Sequence, residues 1–379
     1  MNKYLKTGGV LLICACAVGI LWTSAHHKKD VLNGTQKADA AQVTSFPKTY
    51  EKQVSDTFTI QADVIVPEKF DPSNLHKTTA QIHKIDQEEW KKRFLESGTE
   101  YQEHEYEESN REEKRIKGML YDKADGWQLA VSEQCGALWA AKMDKIINYL
   151  IWDYPVSDGY NRDAYPTQGD LSFAKRDDAY QIIAGELESL GIPMKNVEIE
   201  RCYNLPYQTL AEQEQLAAER GELDADERRT DWSSEDDAYY YYIWQTEQEL
   251  PVYPCGHIED MDPENIRGGI ECCYSKDGID YLDVSYWMDF KQEEETLSLL
   301  SFEDIIKTVE EKYGDVINDR MMTLNTCRLF EAPIPQAEGS YEVVPVWICR
   351  IQNGDDSSPI YLPVNAVTGE EVKELEFEG

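Results

Sequence analysis

Basic residues are scarce in this 379-residue chain, with 37 Lys and Arg against 73 Asp and Glu and a formal net charge of −36. A surface of that sign repels phosphate backbones and anionic bilayer faces, which excludes nucleic acid as a partner class. Histidine is scarcer still: the six, His26, His27, His76, His83, His104 and His257, are scattered along the chain. The sequence also lacks a GxSxG elbow, an HExxH pair, a GxxxxGK[ST] loop and a CxxC pair. Those absences remove the motif-bearing hydrolases, zincins, P-loop nucleotide binders and dithiol modules, so no catalytic residue and no cofactor are predicted. Carboxylates are so abundant that glycosidase-like pairs can be drawn by chance, and none is singled out.

What is present begins with an uncharged run. Lys3 and Lys6 precede GGVLLICACAVGILWTSA, from Gly8 to Ala25, and polar acidic sequence follows. This is the pattern of an export segment, placing the body at the outer face of the plasma membrane or in the medium. Three endings stay open. The run is long enough to remain as an anchor, Thr23-Ser24-Ala25 resembles a signal-peptide cleavage site, and Cys16 within Ile13-Cys14-Ala15-Cys16 offers a lipoprotein attachment point. Beyond it lie seven cysteines, Cys135, Cys202, Cys255, Cys272, Cys273, Cys327 and Cys349. Seven is odd, so at least one stays free or pairs between molecules, and spacing fixes no connectivity. Cys202, Cys327 and Cys349 sit in apolar strand-like runs, where a thiol behaves as a small buried hydrophobe. Adjacent Cys272 and Cys273 point to opposite faces of a strand.

The segment 26–55 is polar, rich in small residues and weakly patterned, as expected of a flexible tether. An N-terminal α+β domain is expected over 56–165. It opens with a strand in which Phe58, Ile60, Ala62, Val64 and Val66 alternate. Ile85 to Gly118, dominated by Glu, Lys and Arg, reads as a solvated amphipathic helix with a narrow Trp90–Phe94 stripe, and a hairpin turns at Asp125-Gly126. The second half repeats itself. Leu171–Gly191 and Leu299–Asp315 each open on Ser-Phe, continue with acidic residues and an apolar helical period, and lead into a strand. Ser172 and Ser301 fit as N-caps, Gly191 and Gly314 as stops. Ala179, Ile182, Ile183, Leu187 and Leu190 make the first apolar face; Ile305, Ile306, Val309 and Tyr313 make the second. An acidic helical insertion, Gln208–Asp237, interrupts the first copy, and Lys276-Asp277-Gly278 turns a later hairpin. The expected fold class is α+β, with tandem units of one helix packed on an antiparallel sheet at 166–290 and 291–379.

The last unit carries Pro345-Val346-Trp347 and closes on Val364-Asn365-Ala366-Val367-Thr368-Gly369-Glu370. Over roughly 170–379 the chain resembles PepSY-like domain proteins, the propeptide or YpeB-type modules found in exported and membrane-anchored proteins of Gram-positive bacteria. Asn365, Ala366, Thr368, Gly369 and Glu370 match that family's closing motif. The first copy lacks the Thr-Gly-Glu ending and has the Asp277-Gly278 turn in its place. The resemblance implies an extracytoplasmic, non-catalytic module that binds or restrains a protein partner of the protease or sensor-kinase type. The motif's residues read as structural, since Gly369 permits a turn other residues resist.

Two kinds of site remain. Asp260, Asp262 and Glu264, with Glu271, imitate the oxygen spacing of a calcium loop. Asn265 stands where that turn wants glycine and Arg267 where an apolar residue belongs, so a solvated acidic loop is the favoured reading and no metal is predicted. Cys255, His257, Cys272 and Cys273 lack the spacing of a structural zinc site. In the strand Tyr239–Trp244, the rings of Tyr240, Tyr242 and Trp244 share one face, which if open would stack on an envelope glycan or anchor a protein. The competing reading packs one face under the repeat helix and the other beneath the acidic insertion.

Overall fold

Most regular structure among the described residues is strand, as at Phe58–Ile65, where buried residues alternate with more exposed ones. The computed structural model describes residues 43–95, 100–109, 115–124, 126–132, 137–142, 145, 161–223, 228–229, 231–253, 269–316, 320–336, 340–354 and 359–372. The run expected to act as an export segment, most of the expected tether, Cys135, Cys255, His257, Asp260, Asp262 and Glu264 lie outside the described residues. No helix among the described residues is long and apolar enough to cross a membrane.

In chain order the elements are β1 (Thr49–Gln53), β2 (Phe58–Ile65), β3 (His76–Ile82), α1 (Gln87–Leu95), β4 (Tyr101–Ser109), β5 (Arg115–Lys123), β6 (Trp127–Ser132), β7 (Ala137–Lys142), α2 (Arg176–Ser189), β8 (Val197–Leu205), α3 (Tyr207–Glu219), β9 (Ala238–Glu247), β10 (Leu250–Pro251), β11 (Ile270–Ser275), β12 (Gly278–Val284), β13 (Met288–Thr296), α4 (Phe302–Tyr313), β14 (Met322–Pro335), β15 (Ser340–Asn353) and β16 (Ile360–Asn365).

These strands form two large sheets, which overturns the expected α+β fold of tandem helix-on-sheet units. Among the described residues strand predominates over helix. One sheet has seven strands in the order β1-β2-β14-β15-β3-β13, with β16 also on β15; the other has nine, β10-β9-β11-β12-β7-β6-β5-β4, with β8 on β9. Sequence neighbours are divided between them. Strand β2 runs parallel to β14 from Phe58↔Met322, and β3 lies antiparallel to both β13 and β15. Strands β4 to β7 instead extend the nine-stranded sheet through β7–β12 pairing, Tyr281↔Ala141. Strand β13 follows the first repeat helix in sequence yet belongs with the C-terminal strands. Local periodicity marks a strand but does not name its partner, and pairing here follows burial of both sheet faces more than chain order.

Three local expectations are corrected by the same rule. The tether ends before residue 55, because Thr49–Gln53 pairs with β2 and Phe46 packs edge-on against Trp347 with ring centroids 5.1 Å apart. The helix expected from Ile85 stops at Leu95, and Tyr101–Ser109 is a strand at the end of the nine-stranded sheet, exposed over Tyr101 to Glu105. Ser172 caps nothing, since α2 begins at Arg176, whose N–H donates to Asp170 Oδ1 at 3.0 Å. Ser301 does cap α4, accepting from the Asp304 N–H.

Two main cores result. Ala179, Ile183 and Leu187 of α2 pack with Trp90 and Phe94 of α1 on Tyr239, Tyr241 and Ile243 of β9; Ile182, assigned to the same stripe, is 52% exposed. Phe302, Ile305, Ile306 and Val309 of α4 cover Cys327, Leu329, Trp347 and Cys349 in the other sheet. The closing Asn365–Glu370 motif is a turn docked on that helix. Asn365 Oδ1 accepts from the Val367 and Thr368 N–H groups, and Thr308 Oγ1 donates to the Gly369 carbonyl at 2.6 Å. Gly369 has φ +75°, and a Cβ there would meet Leu300 Cδ1 at 3.0 Å. Gly369→Ala should therefore cost about 1–2 kcal/mol from backbone conformation alone, read as a lowered midpoint in urea denaturation.

Candidate functional site

The aromatic run of β9 is buried on both sides. Tyr242 is 4% and Trp244 1% exposed, and Tyr240 is partly buried. Tyr239, Tyr241 and Ile243 lie beneath α2, while Tyr240 and Tyr242 join Tyr203, Leu205 and Leu210 beneath α3, the acidic insertion. Trp244 turns toward Phe330, Val346 and Ile348 of the other sheet. No open ring platform for a glycan exists along Tyr240, Tyr242 and Trp244, because a strand covered on both faces has no face left for a ligand. Of the calcium candidates, Glu271 alone is described. It lies on β11, 6% exposed, and accepts from the Tyr240 hydroxyl at 2.8 Å. Among the described residues no three His, Cys, Asp or Glu side chains converge as a metal site would require.

The hydroxyls of that same run do a different job. Tyr239 OH donates to the Ala174 carbonyl at 2.8 Å and accepts from the Leu171 N–H at 2.6 Å; Tyr241 OH donates to the Arg176 carbonyl at 2.7 Å. They brace the chain entering α2 from below. From the side, Asn204 on β8, 5% exposed, donates to the carbonyls of Gln168 and Gly169 and accepts from Arg176 at 2.8 Å.

The braced loop lies over β8 and borders an open cleft of about 830 Å³. Strand β8 carries a bulge between Ile199 and Arg201 in its pairing with β9, leaving Glu200 as the extra residue. A bulge re-aims the side chains beside it, and here Ile199, Glu200, Arg201, Cys202 and Tyr203 all reach the cleft wall. Arg162, Asp163 and Tyr165 come from the turn at 162–165, Thr167 and Gln168 from the loop, and Arg176 from the first residue of α2. Three arginines thus face two carboxylates, in a chain that is otherwise heavily anionic.

Burial sets the charge states. It raises the Glu200 carboxyl, against the opposing pull of Arg201, whose Nε stands 2.8 Å from Glu200 Oε2. Arg328 of β14 adds positive potential from the other sheet while stacked 4.7 Å over Trp244. Burial pushes the Cys202 thiol up to about 12, more than Arg176 offsets, so it stays a thiol at neutral pH. Burial likewise raises the phenols of Tyr165 and Tyr203. The Tyr165 hydroxyl and Arg176 Nε are closed to solvent and have no hydrogen-bond partner among the described residues. Chemically the cleft combines three guanidinium groups and two phenols with the carboxylates of Asp163 and Glu200, its thiol held unreactive, so cationic groups outnumber anionic ones at its wall.

Of these residues only Cys202 was singled out from the sequence, as a buried thiol and not as part of a site. The available signal was Arg201 between the apolar positions Ile199 and Tyr203 of a strand, in a chain poor in basic residues.

No family model matches this chain, and no curated protein matches it. Among solved structures, the chain is similar to an uncharacterised protein from Eubacterium rectale, with TM-score 0.57 and 15% identity over 86% of this chain and 94% of that one. At that identity the likeness shows a shared fold. The Bacillus megaterium YpeB C-terminal domain aligns with TM-score 0.27 and 11% identity over 77% of this chain and 97% of that one, an overlap too loose to define a common fold.

Proposed function

We propose that the protein is a non-catalytic binding protein, and that the cleft over β8 takes a small carboxylate presented by a partner molecule. The observation that carries this reading is the convergence of Arg162, Arg176 and Arg201 on one cleft in a chain that is otherwise heavily anionic. Size follows from charge. A net −36 repels polyanions at long range, whereas a single carboxylate is screened within about 8 Å at physiological salt and feels mainly the local guanidinium groups. A protein partner offering a C-terminal or side-chain carboxylate fits this, and the export segment would place the encounter outside the plasma membrane.

Isothermal titration of the full chain with N-acetylated amino acids tests the proposal. Saturable binding is expected, weakened about tenfold by Arg201→Gln, the loss of about 1.4 kcal/mol typical of one charge-assisted hydrogen bond. Arg162→Gln, at the other guanidinium of the wall, should weaken binding likewise. Absence of saturable heat with every carboxylate, or unchanged affinity in both variants, would count against it.

A further inference from the structure

Seven cysteines lie beyond the export segment, and the sheet pairing sorts those that are described. Cys272 and Cys273 enter different cores, one under α2 and the other under α3. Cys202 and Cys272 are both register partners of Tyr241, on opposite sides of it. They are therefore two strand spacings apart, about 9–10 Å, beyond the reach of a disulfide, which needs Cα atoms within about 7 Å. Cys327 and Cys349 differ from all of these. They are direct register partners across β14 and β15, both 0% exposed, with Sγ atoms 2.9 Å apart. Residues directly opposite in an antiparallel pair have Cα atoms about 4.5–5.5 Å apart, inside the disulfide window.

We propose that Cys327 and Cys349 form an intramolecular cross-strand disulfide at the centre of the seven-stranded sheet. Their outer neighbours in register are Val64 of β2 and Leu362 of β16, and α4 covers them from above. The crosslink would pin the two longest strands together at mid-length. Formation is thiol–disulfide exchange with a small or protein disulfide. One cysteine thiolate attacks a sulfur of oxidised glutathione and releases one glutathione thiolate. The second cysteine thiolate then displaces the other glutathione, so the two cysteines are oxidised, two glutathione thiols are produced, and the two cysteine protons pass to them. Because the pair is inaccessible in the folded sheet, exchange must occur while the sheet is open, and the finished bond should resist reductants until the protein unfolds. Burial, reinforced by Cys349, pushes the Cys327 thiol well above its usual range, which also slows exchange in the folded state.

The test is to refold the reduced full chain in a glutathione redox buffer, remove the glutathione, denature, label free thiols with a maleimide, and map the tryptic peptides. Residues 321–328 and 329–350 should appear as one linked species, separated by reductant and free of label. Maleimide on both Cys327 and Cys349, or linkage of either to another cysteine, would overturn the proposal. A second readout is thermal. Oxidised protein should melt about 5 °C higher than reduced protein, and Cys327→Ala should abolish the difference. If that variant does not fold, the peptide map of the unaltered chain decides alone; an equal midpoint for oxidised and reduced chains with intact linkage would refute the mid-sheet clamp.

Discussion

Trp347→Ala is expected to cost about 3–5 kcal/mol, the range for removing a fully buried large aromatic side chain. Trp347 is 0% exposed on β15, and its ring meets the edges of Phe46 and Phe302, each with centroids 5.1 Å apart. It therefore ties the residues before β1, the start of α4 and the middle of the seven-stranded sheet to one point. Its indole nitrogen has no hydrogen-bond partner among the described residues, so the loss is one of packing and cavity rather than of a polar contact. Guanidinium denaturation read by circular dichroism measures it. A cost below about 1 kcal/mol would mean that the N-terminal segment is not packed there.

The second large effect depends on pH. Glu331 of β14 is 1% exposed where the two sheets meet, and its backbone carbonyl accepts from the Tyr253 N–H at 2.7 Å. Burial, and then the neighbouring Glu247, raise its carboxyl well above the ordinary range. One of its oxygens has no partner, and the other receives only a long contact from Gln248 at 3.5 Å. Since the folded-state value lies above the unfolded one, the folded state holds the proton more tightly. The resulting stability is complete below the unfolded value, near 4.3, and drains away as pH rises toward the folded value. Glu331→Gln removes that dependence. Between pH 5 and pH 8 the native chain should lose about 1–3 kcal/mol more than the variant, the scale of an unsatisfied buried polar group. Glu247 and Glu200, raised by burial in the same direction, contribute to both chains and largely cancel in the comparison. Parallel urea-midpoint curves across that range would show that Glu331 keeps its charge when folded.

Elements with strong internal periodicity were legible in the sequence. The apolar face of α4, its Ser301 cap, the Gly278 and Gly369 turns, and the Trp90–Phe94 stripe of α1 all depend on residues within a few positions of one another. Sheet membership was not, because β2 finds β14 more than 250 residues away and β13 joins β3 across most of the chain. An apolar strand records that it is buried, without recording against what. The same limit hid the cleft. Arg162, Arg176 and Arg201 are unremarkable individually and become a site only through the Glu200 bulge and the loop that Asn204, Tyr239 and Tyr241 hold over it. The aromatic run misled in an instructive way. Its rings fill three clusters, and its contribution to the candidate site is two hydroxyls bracing the overhanging loop.

Charge recognition by the cleft is tested most directly by the ratio of dissociation constants for one N-acetylated amino acid and its uncharged amide, measured on the full chain at two salt concentrations. The carboxylate should bind at least about tenfold more tightly, as expected for one charge-assisted contact, and the advantage should shrink at high salt. Equal affinity for acid and amide, or tighter binding of the amide, would contradict an anion-holding cleft over β8.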